Sequence, residues 1–444
     1  QQTNAPEEDD SPYNLAAGKY ELNSEGFPAE KYVYELPLST TDEVSTQWTT
    51  CYTPQYIPED GFGSIEVWAN LAKMTGVKIE YDVVASATRS ENFSVLLASD
   101  SLEDIMDQAL SFYKGGTALD AINDGYFVNL NDYREYMPCY MYETYVRSLE
   151  NINVMDKVFY DKNTVPGFLG MLIEPSPSMG LFIRQDWLDT LGLGDAIDIT
   201  TYDELTEAMT AFKTADASRF PIWIPNTITQ GKHNYLSCGF DTFVYTDLSF
   251  KRVVNGKVEF CGTTEDDRDA MTLLNSWFNK GFIDPNFAAH DASYDSTPQF
   301  TRGEVGVTYR TPSQITALEE TNDDPNCRWE AIKMPRKYEG QVLKYGLLTD
   351  QFDYGSTYIS TNCENIPLAV SYIDWWYSDE GGDYVSWGIE GISWEYNEQG
   401  KRMLTDFILN HEAGQSFAMC LYATSGLVNA GLYAHKRGYA VKNG

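Results

Sequence analysis

Basic residues are scarce in this sequence. Its 444 residues include 31 Lys plus Arg against 66 Asp plus Glu, which gives a formal net charge of -35. Nucleic-acid binding depends on Lys and Arg side chains that neutralise phosphates, and no basic stripe is present to do so. The charge therefore argues against a polyanionic partner. It favours neutral solutes over anionic ones, because the negative field opposes the approach of an anion.

Metal ligands and catalytic motifs are sparse as well. Seven cysteines and four histidines are scattered without a CxxC pair or a short metal-ligand spacing. No segment fits a calcium loop, a P-loop or a dinucleotide-binding motif. We expect neither a cofactor nor a metal ion. We also predict mostly buried free thiols, with one or two disulfides left open.

No long hydrophobic run, internal repeat or low-complexity tract is present. The most apolar stretch, Phe417 to Ala434, includes Thr424, Ser425 and Asn429, so we predict a buried helix and turn rather than a membrane span. The composition is 43% hydrophobic and 14% aromatic, which is typical of a globular protein. A chain of this length favours two lobes over one core.

Strand and helix patterns alternate along the chain. Residues 31–40, 77–84 and 102–110 have strand patterns, whereas residues 65–76 have a helical pattern that ends at a glycine. Thr200, Thr201 and Glu204 form a capping box that predicts another helix start. Such alternation indicates a mixed or parallel sheet covered by helices.

Seven segments, taken together and in order, resemble a known family. They are Leu102–Ala109, Asp124–Tyr133, Phe182–Leu193, Thr200–Lys213, Asn279–Phe287, Phe300–Arg310 and Ser378–Gly391. On these segments the chain resembles the extracellular solute-binding proteins (family 1, lipoprotein branch) of bacterial ABC carbohydrate importers. Most of the chain is covered.

The resemblance implies an α/β, periplasmic-binding-protein-like fold with two α/β lobes, a hinge and a ligand cleft between the lobes that closes on the ligand. We expect a flexible tether, two lobes and three hinge crossings. These are 1–30 for the tether, 31–179 plus 358–389 for lobe 1, 180–354 plus 390–444 for lobe 2, and crossings near 177–183, 354–360 and 388–394.

The implied function is that of a monomeric substrate-binding component of an ABC transporter. Such a protein captures a carbohydrate outside the cell and delivers it to permease subunits without catalysis. The negative charge of this chain favours a neutral oligosaccharide as the carbohydrate. Family members are anchored at the cell surface by a lipid on an N-terminal cysteine, which would precede Gln1. Two alternatives remain: a glycoside hydrolase or lyase, which needs two carboxylates at a fixed separation, and a sensory binding module.

Sugars offer flat apolar faces and a rim of hydroxyls, so their sites combine aromatic rings with polar side chains. The family's ligand-contacting loops predict the following ligand-binding residues: Trp48, Tyr52, Gln55, Asp107, Gln108, Phe112, Tyr113, Trp223, Asn226, Asn234, Tyr235, Tyr309, Arg310, Ser313 and Trp394. Ser313 stands where sugar binders of the family often carry an aromatic residue, which leaves that role to Tyr309 or Trp394. Trp223 lies in an apolar strand, where core packing is the competing role.

Overall fold

The structure is a computed structural model of the chain. It describes residues 11–51, 53–151, 153–173, 179–224, 236–241, 251–260, 264–290, 296–343, 352, 355–423 and 431–433, with the backbone alone for residues 251–254 and 313. These residues divide into two compact units. Unit 1 contains the described residues up to 173 and from 352 onward, and unit 2 contains those from 179 to 343.

Unit 1 is built from helices and strands drawn from both ends of the chain. Its strands are β1 Val44–Thr49, β2 Lys78–Val83, β3 Ile105–Asp107, β4 Phe168–Leu172, β10 Ser356–Ile359, β11 Trp394–Tyr396, β12 Arg402–Leu404 and β13 Gly431–Tyr433. Its helices are α1 Glu66–Thr75, α2 Arg89–Ala98, α3 Ala118–Asn123, α4 Pro138–Glu150, α5 Asn153–Val158, α11 Ile366–Trp375, α12 Asp379–Trp387, α13 Asp406–Leu409 and α14 Gln415–Tyr422.

A six-stranded mixed sheet organises unit 1, in the order β13-β4-β10-β3-β1-β2. Strands β1, β2 and β3 are parallel, whereas β10 runs antiparallel between β3 and β4. The carboxyl ends of β1 and β3 therefore lie side by side, and the loops that follow them share one edge of the sheet. In α/β sheets this edge is where ligands bind.

Helix α11 forms the centre of the main core of unit 1. Its residues Leu368 to Trp375 are all buried, because the helix is apolar on nearly every face. Trp376, just beyond its end, stacks on Trp68 of α1 with ring centroids 6.3 Å apart. Trp375 and Trp376 are both buried in this core.

Unit 2 is built from a continuous part of the chain. Its strands are β5 Gly180–Arg184, β6 Lys251–Val254, β7 Lys257–Phe260, β8 Val307–Arg310 and β9 Trp329–Ala331, and its helices are α6 Gln185–Leu191, α7 Tyr202–Ala215, α8 Glu265–Asn279, α9 Thr297–Thr301 and α10 Pro312–Glu320. A three-stranded antiparallel sheet, β8-β5-β9, carries the helices. Trp277 of α8 is fully buried.

The N-terminal residues correct the predicted tether. Where the structure describes them, residues 11–30 lie in unit 1, and Ala16 is fully buried. Leu15, Tyr20 and Phe27 pack against the main core. These scattered apolar residues give the polar segment enough burial to hold it against unit 1, which the composition alone does not reveal.

The C-terminal residues correct the predicted second lobe. Residues 390–423 and 431–433 belong to unit 1, and no described residue beyond 388–394 returns to unit 2. The reason is a long-range strand pairing, since β13 adds to the sheet beside β4 in parallel register. The crossings between the units instead fall between residues 173 and 179 and between 343 and 352.

The six described cysteines are free thiols, and all except Cys327 are buried. Cys261 lies outside the described residues. Among the helices that the structure describes, none combines the length and apolar composition needed to cross a bilayer.

Candidate functional site

The carboxyl end of β3 is fixed by a buried carboxylate. Asp107 is 1% exposed and accepts hydrogen bonds from Gln47 Nε2 and Thr357 Oγ1, each at 2.8 Å. Burial raises the pKa of Asp107, and hydrogen bonds from Thr49, Thr357 and Gln47 act in the opposite direction. The carboxylate links three adjacent strands and thereby holds their ends in register.

Gln108 turns the chain sharply just after this strand. Its backbone has φ of 54° and ψ of 19°, a left-handed conformation that non-glycine residues rarely adopt. The backbone N–H of Gln108 donates to the carbonyl of Ser356 at 2.8 Å, which holds the turn against β10. Strained residues of this kind are concentrated at functional sites, so Gln108 is a strong candidate for ligand contact.

Arg89, the first residue of α2, supports the turn. Its Nη1 donates to Gln108 Oε1 at 3.0 Å, and its Nη2 donates to the backbone carbonyl of Asp107. The guanidinium lies 4.4 Å from the centroid of the Trp48 ring and 5.3 Å from that of Phe112. A planar cation held between aromatic rings makes strong contacts at low conformational cost, so the Gln108 turn is preorganised.

A groove of about 300 Å³ lies within unit 1, and its lining includes Phe112, one of the two rings that contact Arg89. Its walls come from α2 and from the chain that follows β3. The lining residues are Phe93, Ser94, Leu97, Ala98, Phe112, Tyr113, Lys114, Gly115, Asp124 and Tyr126. Aromatic rings thus line a groove that also has one cationic and one anionic side chain.

The groove wall formed by Tyr113 is held in place by its hydroxyl. Tyr113 Oη donates to Asp124 Oδ2 at 2.6 Å, and this hydrogen bond raises the pKa of Tyr113 to about 12. The ring also meets Tyr126 edge-on, with centroids 6.1 Å apart. Gly115 is required below it, because an added Cβ would lie 2.4 Å from Tyr113 Oη.

Unit 2 has its own cluster of aromatic and polar side chains at the end of β8. Trp223 stacks on His290 with centroids 4.7 Å apart and an interplanar angle of 12°. Arg310 Nη2 donates to Ser296 Oγ at 2.7 Å, and the Arg310 guanidinium lies 5.1 Å from the ring centroid of Phe300. Arg310 is half-buried, whereas Trp223 is 9% exposed and offers little ring surface to a ligand.

Three predicted aromatic residues lie in cores. Trp48 is fully buried and donates from Nε1 to Asn92 Oδ1 at 2.7 Å. Tyr309 is 7% exposed within the core of unit 2, and Trp394 is 5% exposed and packs beside Trp387 in unit 1. A ring without an exposed face cannot stack on a sugar in this conformation, so these three are assigned supporting roles.

The structure brings Asp107, Gln108, Phe112 and Tyr113 together, and it places Gln55 on the surface of unit 1 in a short 3-10 helix, Pro54–Tyr56. Four predicted residues, Tyr52, Asn226, Asn234 and Tyr235, lie outside the described residues. Ser313 lies in the first turn of α10, where the backbone alone is described.

Sequence reasoning missed Arg89 and His290. Both carry groups that are usually exposed, yet Arg89 is 4% and His290 is 3% exposed. No local pattern marks either of them, since their aromatic partners come from distant parts of the sequence. Within the described ranges, no group of three or more His, Cys, Asp or Glu side chains is arranged to hold a metal ion.

The model of one protein family, described as bacterial extracellular solute-binding protein, matches residues 66–386, more than half of the chain. The chain belongs to this family. The recognition made from the seven segments is thereby confirmed, and the protein is a solute-binding protein of the extracellular type.

Two curated relatives of this solute-binding protein come from Bacillus subtilis (strain 168). The polygalacturonan/rhamnogalacturonan-binding protein YtcQ is 21% identical over 366 residues, covering 80% of this chain and 68% of YtcQ. Lipoprotein LipO is 24% identical over 272 residues, covering 58% of this chain and 49% of LipO.

Solved structures confirm the fold. The alginate-binding protein AlgQ2 matches with a TM-score of 0.62 and 19% identity, over 90% of this chain and 81% of that one. The Streptococcus pneumoniae ABC-transporter substrate-binding protein FusA, in complex with kestose, matches with a TM-score of 0.60 and 18% identity, over 90% and 80%. The predicted α/β, periplasmic-binding-protein-like fold is therefore correct.

Proposed function

We propose that this protein is the substrate-binding component of an ABC importer, which captures a carbohydrate outside the cell and delivers it unchanged to a membrane permease. Family membership supports the capture of a solute outside the cell. The names of YtcQ, AlgQ2 and the FusA complex all refer to a carbohydrate, which supports a carbohydrate as the solute.

The observation that carries this proposal is the groove beside the Gln108 turn. Phe112 and Tyr126 are partly exposed and provide apolar ring surface for the C–H face of a sugar, whereas Tyr113, 9% exposed, supports the groove wall. The Ser94, Lys114 and Asp124 side chains in the lining provide donors and acceptors for hydroxyl groups. The volume of about 300 Å³ is at the lower end of the range for small-molecule sites. In unit 2, Arg310 is the predicted residue that we retain as a ligand contact.

The same geometry supports binding without catalysis. Hydrolysis of a glycoside requires two carboxyl groups facing the bond to be cleaved. Asp107 is buried, and its two oxygens accept hydrogen bonds from neighbouring strands. Asp124 accepts from the Tyr113 hydroxyl. Each of these acids holds the site together, which leaves it poorly placed to transfer a proton to a ligand.

We further propose that the ligand is neutral. The formal net charge of -35 opposes an anionic ligand. The groove lining contains one cationic side chain, Lys114, and one anionic side chain, Asp124, so it has no net positive charge to attract a uronic acid. The name of YtcQ includes an acidic polysaccharide, so the ligand screen must include one.

An N-terminal lipid anchor and a monomeric state complete the proposal. LipO is named as a lipoprotein, which supports anchoring at the cell surface. The ABC permease subunits are the proposed protein partners, because a solute-binding protein needs them to pass its ligand through the membrane.

Isothermal titration calorimetry with a panel of oligosaccharides tests the function. We expect micromolar affinity for one class of neutral glycan, about -8 kcal/mol. Chromatography of the same mixtures should show the glycan intact. Binding confined to galacturonate oligomers would refute the neutral ligand, and released products would refute the absence of catalysis.

A pair of variants tests the location of the site. Phe112→Ala should weaken binding at least about tenfold, because it removes a stacking ring. Phe260→Ala, on the exposed β6–β7 hairpin of unit 2, is the matched control and should bind as the wild type does. Equal affinities for the wild type and Phe112→Ala would exclude the groove as the binding site.

A further inference from the structure

Two thiols meet where the segment after β1 packs on helix α14. Cys51 lies two residues beyond β1, and Cys420 lies in α14. Thr53 Oγ1 is 3.7 Å from Cys51 Sγ and donates to Cys420 Sγ at 3.2 Å. Thr53 Oγ1 thus lies within hydrogen-bond distance of both sulfur atoms. Residues 369 positions apart are thus brought together by tertiary packing.

The chain segments that carry the two thiols pack against each other. Cys51 is 5% exposed and Cys420 is 1% exposed, both among apolar neighbours. One turn away, the rings of Tyr56 and Phe417 meet edge-on with centroids 5.5 Å apart. The same two chain segments therefore touch at two successive places, which limits the separation of the sulfur atoms.

The local chemistry distinguishes this pair from the other thiols. The hydrogen bond from Cys420 lowers the pKa of Cys51 to about 6, and the pKa of Cys420 is raised by the same contact. This shift favours the thiolate of Cys51, the form that attacks disulfides. Burial instead raises the pKa of each of the other described thiols: Cys139, Cys238, Cys327 and Cys363.

We propose that Cys51 and Cys420 form a disulfide in the oxidising medium outside the cell. The proposal rests on the extracellular nature of the family and is independent of the ligand's identity. The bond would tie the segment that carries Gln55 to α14. It would thereby hold one predicted ligand-contact residue in place.

The oxidant is an external disulfide, either a small molecule such as oxidised glutathione or a disulfide of an oxidoreductase. The Cys51 thiolate attacks one of its sulfur atoms, which forms a mixed disulfide and releases one thiol. Cys420 then loses its proton and attacks the Cys51 sulfur, which releases the second thiol. Two protein thiols thus lose two electrons and two protons, and the external disulfide is reduced to two thiols.

Mass spectrometry of the wild-type chain tests the proposal. The chain is treated with oxidised glutathione, denatured in the presence of excess alkylating reagent and digested without reductant. We expect a cross-linked pair of peptides containing Cys51 and Cys420, and a higher Tm for the oxidised chain than for the chain treated with dithiothreitol. Cys51→Ser should remove both effects, whereas the matched control Cys363→Ser, another buried thiol, should retain both.

Full alkylation of both thiols after oxidation would overturn the proposal, as would a Cys51 that carries only glutathione. The decisive peptide comes from the wild-type chain, so poor folding of a variant cannot obscure it. A negative result here leaves glycan binding unaffected, and a failure to bind glycans leaves the disulfide unaffected.

Discussion

Two arginines are buried against aromatic rings, one in each unit, and they differ in what they hold. In unit 2, Arg184 is 2% exposed and makes a bidentate ion pair with Asp186, at 2.7 Å from Nε and 2.5 Å from Nη2. In unit 1, Arg89 instead donates to the side chain of Gln108 and the carbonyl of Asp107. The first arrangement neutralises a charge at a strand end, and the second fixes the geometry of a turn.

The ring contacts are alike in the two units. The Arg184 guanidinium lies 4.7 Å from the Trp187 centroid and 5.9 Å from that of Trp329, compared with 4.4 Å and 5.3 Å for the two rings around Arg89. The same side-chain arrangement thus supports a core in one unit and a candidate ligand site in the other. The difference lies in the hydrogen-bond acceptor.

The largest effect is expected for Arg184→Ala. Removing one partner of a buried ion pair leaves the Asp186 charge uncompensated, which should lower the free energy of unfolding by about 3–5 kcal/mol. Urea denaturation measures this loss. The control is Arg302→Ala, which breaks a more exposed pair with Glu304 in the same unit and should cost at most about 1 kcal/mol. Equal losses would show that burial does not decide the strength of the pair.

Unit 1 contains a buried acid that makes its stability depend on pH. Asp374 is fully buried and accepts hydrogen bonds from Tyr34 Oη and from the backbone N–H groups of Cys139 and Tyr140. Burial nevertheless raises its pKa from 3.8 to about 7. Between about pH 4 and pH 7, Asp374 therefore keeps its proton in the folded chain but has lost it in the unfolded chain. From this group, the free energy of unfolding should fall as pH rises from about 4 to about 7, by up to about 1.4 kcal/mol per pH unit.

Urea denaturation of Asp374→Asn at several pH values checks this expectation. The variant should be less stable overall. The asparagine amide has one acceptor oxygen, whereas the two carboxylate oxygens of Asp374 accept from Tyr34 Oη and from the N–H groups of Cys139 and Tyr140. Its pH dependence between about 4 and 7 should be flatter than that of the wild type. Identical pH slopes for the two proteins would rule out titration of Asp374 in this range.

Lysine substitutions separate the roles of the two arginines. Arg89→Lys should reduce glycan affinity about tenfold, because an ammonium group cannot keep both planar N–H contacts and the ring stacking. Arg184→Lys should lower stability yet leave affinity within about twofold of the wild type. Calorimetry and urea denaturation of both variants give the four values. An unchanged affinity for Arg89→Lys would show that the turn does not need its arginine.

The smallest effect concerns the strain at Gln108. Gln108→Gly and Gln108→Ala both remove the amide that Arg89 holds, but only glycine adopts φ of 54° without cost. The free energy of unfolding should therefore be about 1 kcal/mol higher for the glycine variant than for the alanine variant. Glycan affinity should fall in both. An alanine variant as stable as the glycine variant would mean that the turn relaxes.

Local patterns predicted much of the secondary structure. The capping box at Thr201 and Glu204 starts α7, and α1 ends at Gly76, which has a positive φ of 70°. The strand predicted over residues 31–40 is absent. This part of the chain is extended without a strand ladder, and its Leu38 N–H donates to the Thr75 carbonyl at the end of α1.

Features that depend on distant residues escaped prediction. The placement of β13 beside β4 reassigns the end of the chain to unit 1, and no local signal announces it. In the candidate site, the loop after β3 was found because its residues resemble the family, and Phe112 and Tyr113 of this loop line the groove. Arg89 was missed, because a charged residue at a helix start normally faces water.

Hydrogen–deuterium exchange with and without a bound neutral glycan tests the central claim most directly. We expect slower exchange in residues 105–115, which contain the Gln108 turn and part of the groove lining, and at the start of α2, where Arg89 lies. Helix α4, far along the sequence and largely in the main core, should exchange as before. Protection elsewhere, with residues 105–115 unchanged, would contradict the assignment of the ligand site.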